Sequence, residues 1–481
     1  MSTPHPVPDS GAFDRLWADL APVGRDADSG GYHRFSWTGA DTDARAWFTE
    51  AAAARGLDVR TDRNGNLWAW WGTPGPGAVA TGSHLDSVPD GGAFDGPLGV
   101  ASALAAVDEL RRRGVTPARP LALVVFVEEE GGRFGVPCLG SRLTTGEIAP
   151  ERARGLTDAA GVTWERAMAD AGLDPLGLGA DPDTLGLLDA FVELHVEQGR
   201  ALADTSHPVG VGSSIWPHGR WRMDFTGRAD HAGTTRLVDR NDPTLPFAHA
   251  ILAARSLAEA HDARATVAKA LITPNGTNAI PSLVRAWLDA RAADEDALGA
   301  VVEGVREAAQ EAAREHGVGL AMTNESRTPL VSFSHELRDR LAAVVGGGLP
   351  PSTDTAVPVL PARRPPSSGG ASRDGGLPPS TDTAVPVLPA RRPPSSGGAS
   401  RGGGLPPSTD TPVPVLPTGA GHDAGVLAAH VPTAMLYVRN PTGVSHSPGE
   451  WARPDDCHAG VTALADVLQD LLARPAGTVA S

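Results

Sequence analysis

The residues best suited to chemistry fall in four short stretches, each directly after an apolar run. GSHLDSVPDGGAFDGPLGV, residues 82–100, sets His84, Asp86 and Asp95 among glycines that let the backbone approach closely. LALVVFVEEEGG ends in three consecutive carboxylates, Glu128, Glu129 and Glu130, while ELHVEQG supplies His195 and GVSHSPGEW supplies His446. Adjacent carboxylates at the end of a buried strand repel one another, resist desolvation and call for compensating positive charge. Two divalent cations would provide it. Imidazole and carboxylate suit zinc or manganese equally, and one carboxylate can bridge two ions about 3.5 Å apart. Asp86 lies two residues from His84 on the same strand face and is expected to hold that imidazole. Blander readings exist: a single histidine at a strand end is often only a polar terminus, and Glu128–Glu130 alone could open a solvated loop. Five such groups at the predicted ends of strands in one sheet favour a metal centre.

The elements that must position these groups follow from pattern. AVATGSHLDSV reads as a strand ending near Gly82, GPLGVASALAAVDELRRRG as a helix stopped by Gly114, and PLALVVFVEEEGG as another buried strand. This βαβ unit has its polar residues at the carboxyl ends of its strands, where open α/β sheets bind ligands. From about residue 212 to 325 the rhythm changes: strand WRMDFTGRA, a helix from Asp242 to His261, strands TVAKALITP and SLVRAWLDAR, then a helix from Asp294 to His316. That order predicts a two-layer α+β unit inserted into a larger α/β domain with a mixed sheet flanked by helices. The chain returns through AMLYVRN to complete the first sheet.

Residues 347–374 recur almost unchanged as 375–402, and a third copy runs from Gly403 to Pro417, giving a 28-residue period rich in Pro, Gly and Ser. Such a composition cannot bury enough apolar surface to offset ordering, and it predicts a disordered loop over 347–412. Its PxxP-like pieces beside Arg-Arg are an alternative docking site for a proline-binding module. VPVLP of the last copy reads as the start of the strand entering TGAGHDAGVLA. The predicted organisation is then 1–211 and 326–346 as the main domain, 212–325 as the insert, and 413–481 as the main domain's last part.

Composition excludes several classes of function. At 481 residues the chain exceeds one typical core. No apolar run approaches a membrane span, and a net charge of -16 opposes binding to nucleic acid or an anionic membrane surface. Cys138 and Cys457 are the only cysteines, and the N-terminal MSTPHPVPDSGAF has no signal-peptide pattern, so a cytoplasmic protein is expected.

Seven blocks in order, GSHLDSVPDGGAFDGPLGV, EEEGGRFG with LGSR, ELHVEQG, HAGTT, NAIPSLVRAWLDAR, GAGHDA and GVSHSPGEW, resemble the allantoate amidohydrolase and N-carbamoyl-L-amino acid hydrolase (β-ureidopropionase) family. That family belongs to the dinuclear-metal aminoacylase and carboxypeptidase G superfamily, and the resemblance runs from about residue 12 to 470 apart from the repeats. It implies one metal held by His84, Asp95 and His195, and a second by Asp95, Glu130 and His446, with Asp95 as the bridge. Glu129 matches the general base that takes a proton from water and returns it to the leaving nitrogen. The insert resembles a lid and dimerisation domain, so a homodimer is implied, with His231 reaching the partner's site to stabilise the oxyanion. Asn278 and Arg291 match the pair that grips the substrate carboxylate, and Gln198 is placed to bond the ureido group. For Arg291 the plain alternative is a surface residue paired with Asp289.

Arg220 in WPHGRW resembles allantoate amidohydrolases, whose substrate has two ureido arms. The expected reaction is hydrolysis of a linear ureido or amide C–N bond in a small carboxylate, with allantoate leading (to ureidoglycine, ammonia and CO2, a step of purine catabolism). N-carbamoyl-L-amino acids are the alternative. Arg236, where the family's HAGTTPM has proline, raises N-formyl or N-formimino dicarboxylates as a further one. A non-catalytic binding protein on the same scaffold is the rival from another class.

Overall fold

The computed structural model describes residues 10–347, 412–475 and 477, so the repeat segment 348–411 lies outside the described residues. In chain order the first strands are β1 (Asp58–Thr61), β2 (Leu67–Trp71), β3 (Ala78–His84), β4 (Leu121–Phe126), β5 (Leu188–Val196) and β6 (Val209–Ile215). The insert contributes β7 (His218–Thr226), β8 (Asp230–His231), β9 (Arg264–Thr273), β10 (Ala279–Ile280), β11 (Leu283–Arg291) and β12 (Gly319–Thr328). The return brings β13 (Val331–Ser332), β14 (Val415–Thr418) and β15 (Thr433–Val438).

The main sheet is mixed, ordered β1-β2-β4-β3-β5-β15-β6-β13, with β14 also on β6. Strands β4, β3, β5 and β15 run parallel, and their apolar runs are buried throughout, apart from half-buried Asp189 in β5. Helices Pro97–Arg112 and Pro454–Leu472 cover one face around Leu104, Val107, Leu464 and Leu468, while the opposite face packs Trp68, Phe126, Phe191 and Met435 against the helix Asp423–Leu427. The strand expected to end at Gly82 continues to His84. Gly82 is where β3 presses closest on β4, for a Cβ there would lie 1.9 Å from the Val124 carbonyl oxygen.

The insert is a four-stranded antiparallel sheet, β12-β7-β11-β9, with helices Thr244–Ala260 and Glu295–Glu315 packed on it. In β7 and β11 alternate residues are buried. The fourth strand, β12, was not expected from sequence. Its residues GLAMTNESRT are largely exposed, so the polar composition hides the strand. Among the described residues no helix is long and apolar enough to cross a membrane.

Candidate active site

The carboxyl ends of the four parallel strands converge on Asp95. His84 ends β3, Glu129 and Glu130 follow β4, His195 lies near the end of β5, and His446 follows β15. Asp95 Oδ1 lies 3.7 Å from His84 Nε2 and 3.3 Å from His195 Nε2, whereas its Oδ2 lies 3.4 Å from His446 Nε2. His446 Nε2 is also 3.4 Å from Glu130 Oε2. The two oxygens of one buried carboxylate therefore face two separate sets of ligand atoms, each set within 4.8 Å.

The imidazole tautomers test whether a cation fits. His84 Nδ1 lies 3.1 Å from the Asp86 carbonyl and His195 Nδ1 2.9 Å from the Val196 carbonyl, contacts that place the ring proton on Nδ1. Both Nε2 atoms, buried without a hydrogen-bond partner, are turned toward a carboxylate oxygen, and the contact is attractive only with a proton or a cation between the donors. Burial pushes the His84 imidazole down to about 4, favouring the neutral, ligating form, whereas at His195 the Asp95 and Glu193 carboxylates outweigh burial and raise the imidazole to about 9, so that a proton takes the place a cation would fill. Burial, reinforced by neighbouring carboxylates, raises Glu129, Glu130, Asp86 and Asp423 well above the usual range. The donor set is the hard nitrogen and oxygen chemistry of zinc or manganese.

The supporting groups come from distant parts of the chain. Asp86 does not hold the His84 ring through its side chain as expected: its carbonyl takes that contact, because its carboxylate accepts the backbone amides of Glu129 and Glu130, each at 3.1 Å. The carboxylate remains 3.7 Å from His84 Nδ1. Glu450 Oε1 accepts the amides of Phe94 and Asp95 at 2.8 and 2.9 Å. Glu129 has Oε2 3.6 Å from His84 Nε2 and receives the Cys138 thiol on Oε1 at 3.2 Å. Behind His195, the His422 ring packs edge-on with centroids 4.5 Å apart, and Glu193 takes the Ser83 hydroxyl and the Ala424 amide. Glu193 was findable by strand alternation two residues before His195. Nothing local points to Glu450 or Cys138.

The substrate residues expected from sequence are placed unevenly. Gln198 sits inside the cluster, donating to Asp95 Oδ2 at 2.7 Å with Ser445 and His446 beside it. Arg291 pairs with Asp289 through Nε at 2.9 Å, the plain alternative, yet it also donates from Nη1 to the Gly419 carbonyl of the main domain at 2.8 Å. Arg220 is half exposed, its Nε 3.9 Å from the same Asp289. Asn278 does not join Arg291. It lies beside His231 through the β8–β10 pairing, beyond the opposite end of β11, whose nine residues span roughly 26 Å. His231 is exposed, and its Nδ1 accepts the amides of Gly233 and Thr234, leaving Nε2 as the donor nitrogen. The exposed Arg236 guanidinium closes on Asp239 in its own turn, at 2.6 and 3.0 Å.

A site of clustered histidines and carboxylates at the ends of parallel strands, with the buried Glu129 carboxylate beside them, defines a metal-dependent hydrolase. The sequence matches Peptidase family M20/M25/M40 over residues 80–359 and 408–470, and the chain belongs to that family. It is similar to the N-carbamoyl-L-amino acid amidohydrolase of Geobacillus stearothermophilus, 32% identical over 94% of this chain and 96% of that protein. Similarity to the allantoate amidohydrolase of Bacillus subtilis (strain 168) is 29% over 94% and 95%. The crystal structure of AtUAH in complex with glyoxylate superposes with a TM-score of 0.75 at 26% identity, covering 97% of this chain and 99% of that one. The chain is accordingly an amidohydrolase acting on carbon–nitrogen bonds.

Proposed function

We propose that the protein is a two-metal hydrolase of linear ureido compounds bearing a carboxylate, that allantoate is its substrate, and that it works as a homodimer. The observation that carries this is the division of the Asp95 oxygens between two ligand sets, His84 with His195 and Glu130 with His446, beside the buried Glu129. A pair of zinc or manganese ions there would supply the positive charge that acidifies water and polarises the ureido carbonyl. Glu129 takes the proton of the attacking water on its carboxylate and passes it to the nitrogen on the α-carbon, so that the C–N bond breaks to carbamate and ureidoglycine; carbamate falls to ammonia and CO2. Its raised proton affinity suits a base that must hold that proton between the two steps. Arg291 grips the substrate carboxylate from its own subunit, and His231 with Asn278 arrives from the other, an arrangement supported by their separation along β11.

Allantoate leads because the lid brings two guanidiniums, Arg220 and Arg291, to one carboxylate at its rim, matching a substrate with many acceptor oxygens. N-carbamoyl-L-amino acids are the second reading, favoured by the 32% identity to an enzyme named for them. The test is ammonia release by manganese-loaded protein from allantoate, N-carbamoyl-L-amino acids and N-carbamoyl-β-alanine in parallel. Preference for allantoate is expected, with Glu129→Gln keeping metal and fold while losing roughly a thousandfold in kcat. Preference for an N-carbamoyl-L-amino acid would install the second reading, and turnover of none would overturn both.

A further inference from the structure

Behind the histidines lies a carboxylate that the proposed reaction does not use. Glu193 is fully buried in β5, two residues before His195 and on the same face of the strand. Its two oxygens are taken by donors from different parts of the chain. Oε1 accepts the hydroxyl of Ser83, the residue before His84 in β3, at 2.8 Å, and Oε2 accepts the amide of Ala424 at 2.9 Å. Ala424 belongs to the helix Asp423–Leu427, and His422, directly before that helix, packs its ring against His195. One side chain therefore ties together the segments that carry or buttress His84 and His195.

Glu193, His195 and His422 also bring one nitrogen or oxygen each within 4.8 Å of one another. An ion held there would have to displace contacts already made. His195 sets Nδ1 against the Val196 carbonyl and turns Nε2 to Asp95, and both Glu193 oxygens accept an O–H or N–H bond. The cluster is thus built as a support rather than as a further ion site. The remaining ligands are braced elsewhere: the Asp95 amide donates to Glu450 and the Glu130 amide to Asp86.

We propose that Glu193 is a positioning residue that holds His84 and His195 at the spacing one metal ion needs. It governs that ion's binding and leaves the ion of Glu130 and His446 to other supports. The inference rests on the two-metal site proposed above. Substitutions separate position from charge. Glutamine keeps an oxygen for the Ala424 amide and can turn its own amide toward the Ser83 oxygen, because a hydroxyl accepts as well as donates. Alanine leaves both donors without their acceptor.

The test is titration of manganese into the metal-stripped full chain, with bound ions counted. Two backgrounds read the sites apart: His446→Ala leaves the His84 and His195 set, and His84→Ala leaves Glu130 with His446. Glu193→Ala is expected to weaken the ion in the first background about 10-fold or more, and the ion in the second less than about threefold. Glu193→Gln should recover most of the loss, and Ser83→Ala should weaken the same ion alone. Should Glu193→Ala fail to fold, Ser83→Ala decides in the same two backgrounds. Equal weakening of both ions, weakening of neither, or a glutamine variant as poor as alanine would overturn the inference. If the wild type holds one ion only, the two-metal reading has failed. Glu193 then keeps its role if that ion is lost in His195→Ala and weakened in Glu193→Ala, and loses it otherwise. A wild type that binds no ion overturns both.

Discussion

At the residue scale the site depends on small backbone permissions as much as on ligands. Gly96 follows Asp95 with φ +85°, and a Cβ there would lie 2.4–2.6 Å from three atoms of the His84 ring. Gly96→Ala must therefore strain the backbone and push that imidazole away from Asp95. Metal content per subunit after dialysis is expected to fall below that of the wild type, with activity falling in step and the far-UV circular dichroism unchanged. Full metal retention at normal activity would show that His84 does not need its present position. The groups that face one another here were legible because their types are costly at buried strand ends without a counter-charge. His84, Asp95, the run Glu128–Glu130, His195 and His446 announce themselves in that way, while only the family resemblance separates Glu130 from its two neighbours. Glu450, which holds the amides of Phe94 and Asp95 from 356 and 355 positions away, does not, because only the tertiary fold brings it there.

At the element scale the ends of β3 and β4 are tied together by Asp86. Its carbonyl orients His84 after β3 while its carboxylate caps two amides of the acidic turn after β4, in which Glu128 has φ +54°. Asp86→Ala frees that turn, and with it Glu129 and Glu130. A loss of about 10–100-fold in kcat is expected, with metal affinity weakened as well. A titration of metal into the stripped variant alongside steady-state kinetics checks both; unchanged values in each would mean the turn holds itself. Buried parallel strands were readable as continuous apolar runs, and the insert's helices fell within about two residues of expectation. β12 was missed because an edge strand with polar, exposed side chains has the composition of a loop, and only pairing with β7 reveals it.

At the scale of the whole molecule, the insert poses a geometric problem for the proposed site, in which His231, Asn278 and Arg291 all serve one substrate. His231 and Asn278 occupy one end of its sheet and Arg291 the other, where it touches the main domain. One bound carboxylate-bearing ureido compound is far smaller than the roughly 26 Å length of β11, so one copy cannot offer both ends to it. Two copies related by a twofold axis can, each lending its His231 to the other's metal centre. Exposed Leu237 and Val238, at 81% and 84% near His231, and Leu252 at 67% on the lid helix, are apolar surface that such pairing would cover. The consequence is measurable by mixing two inactive variants. His231→Ala keeps its own Glu129, and Glu129→Gln keeps its own His231. A mixed dimer then contains one complete site, formed by the His231→Ala subunit's base and the other subunit's histidine. After random reassortment of equal amounts, half the dimers are mixed with one working site in two, so about a quarter of wild-type activity should return. Activity that stays at the sum of the two separate variants would place His231 in its own subunit's site or outside catalysis altogether.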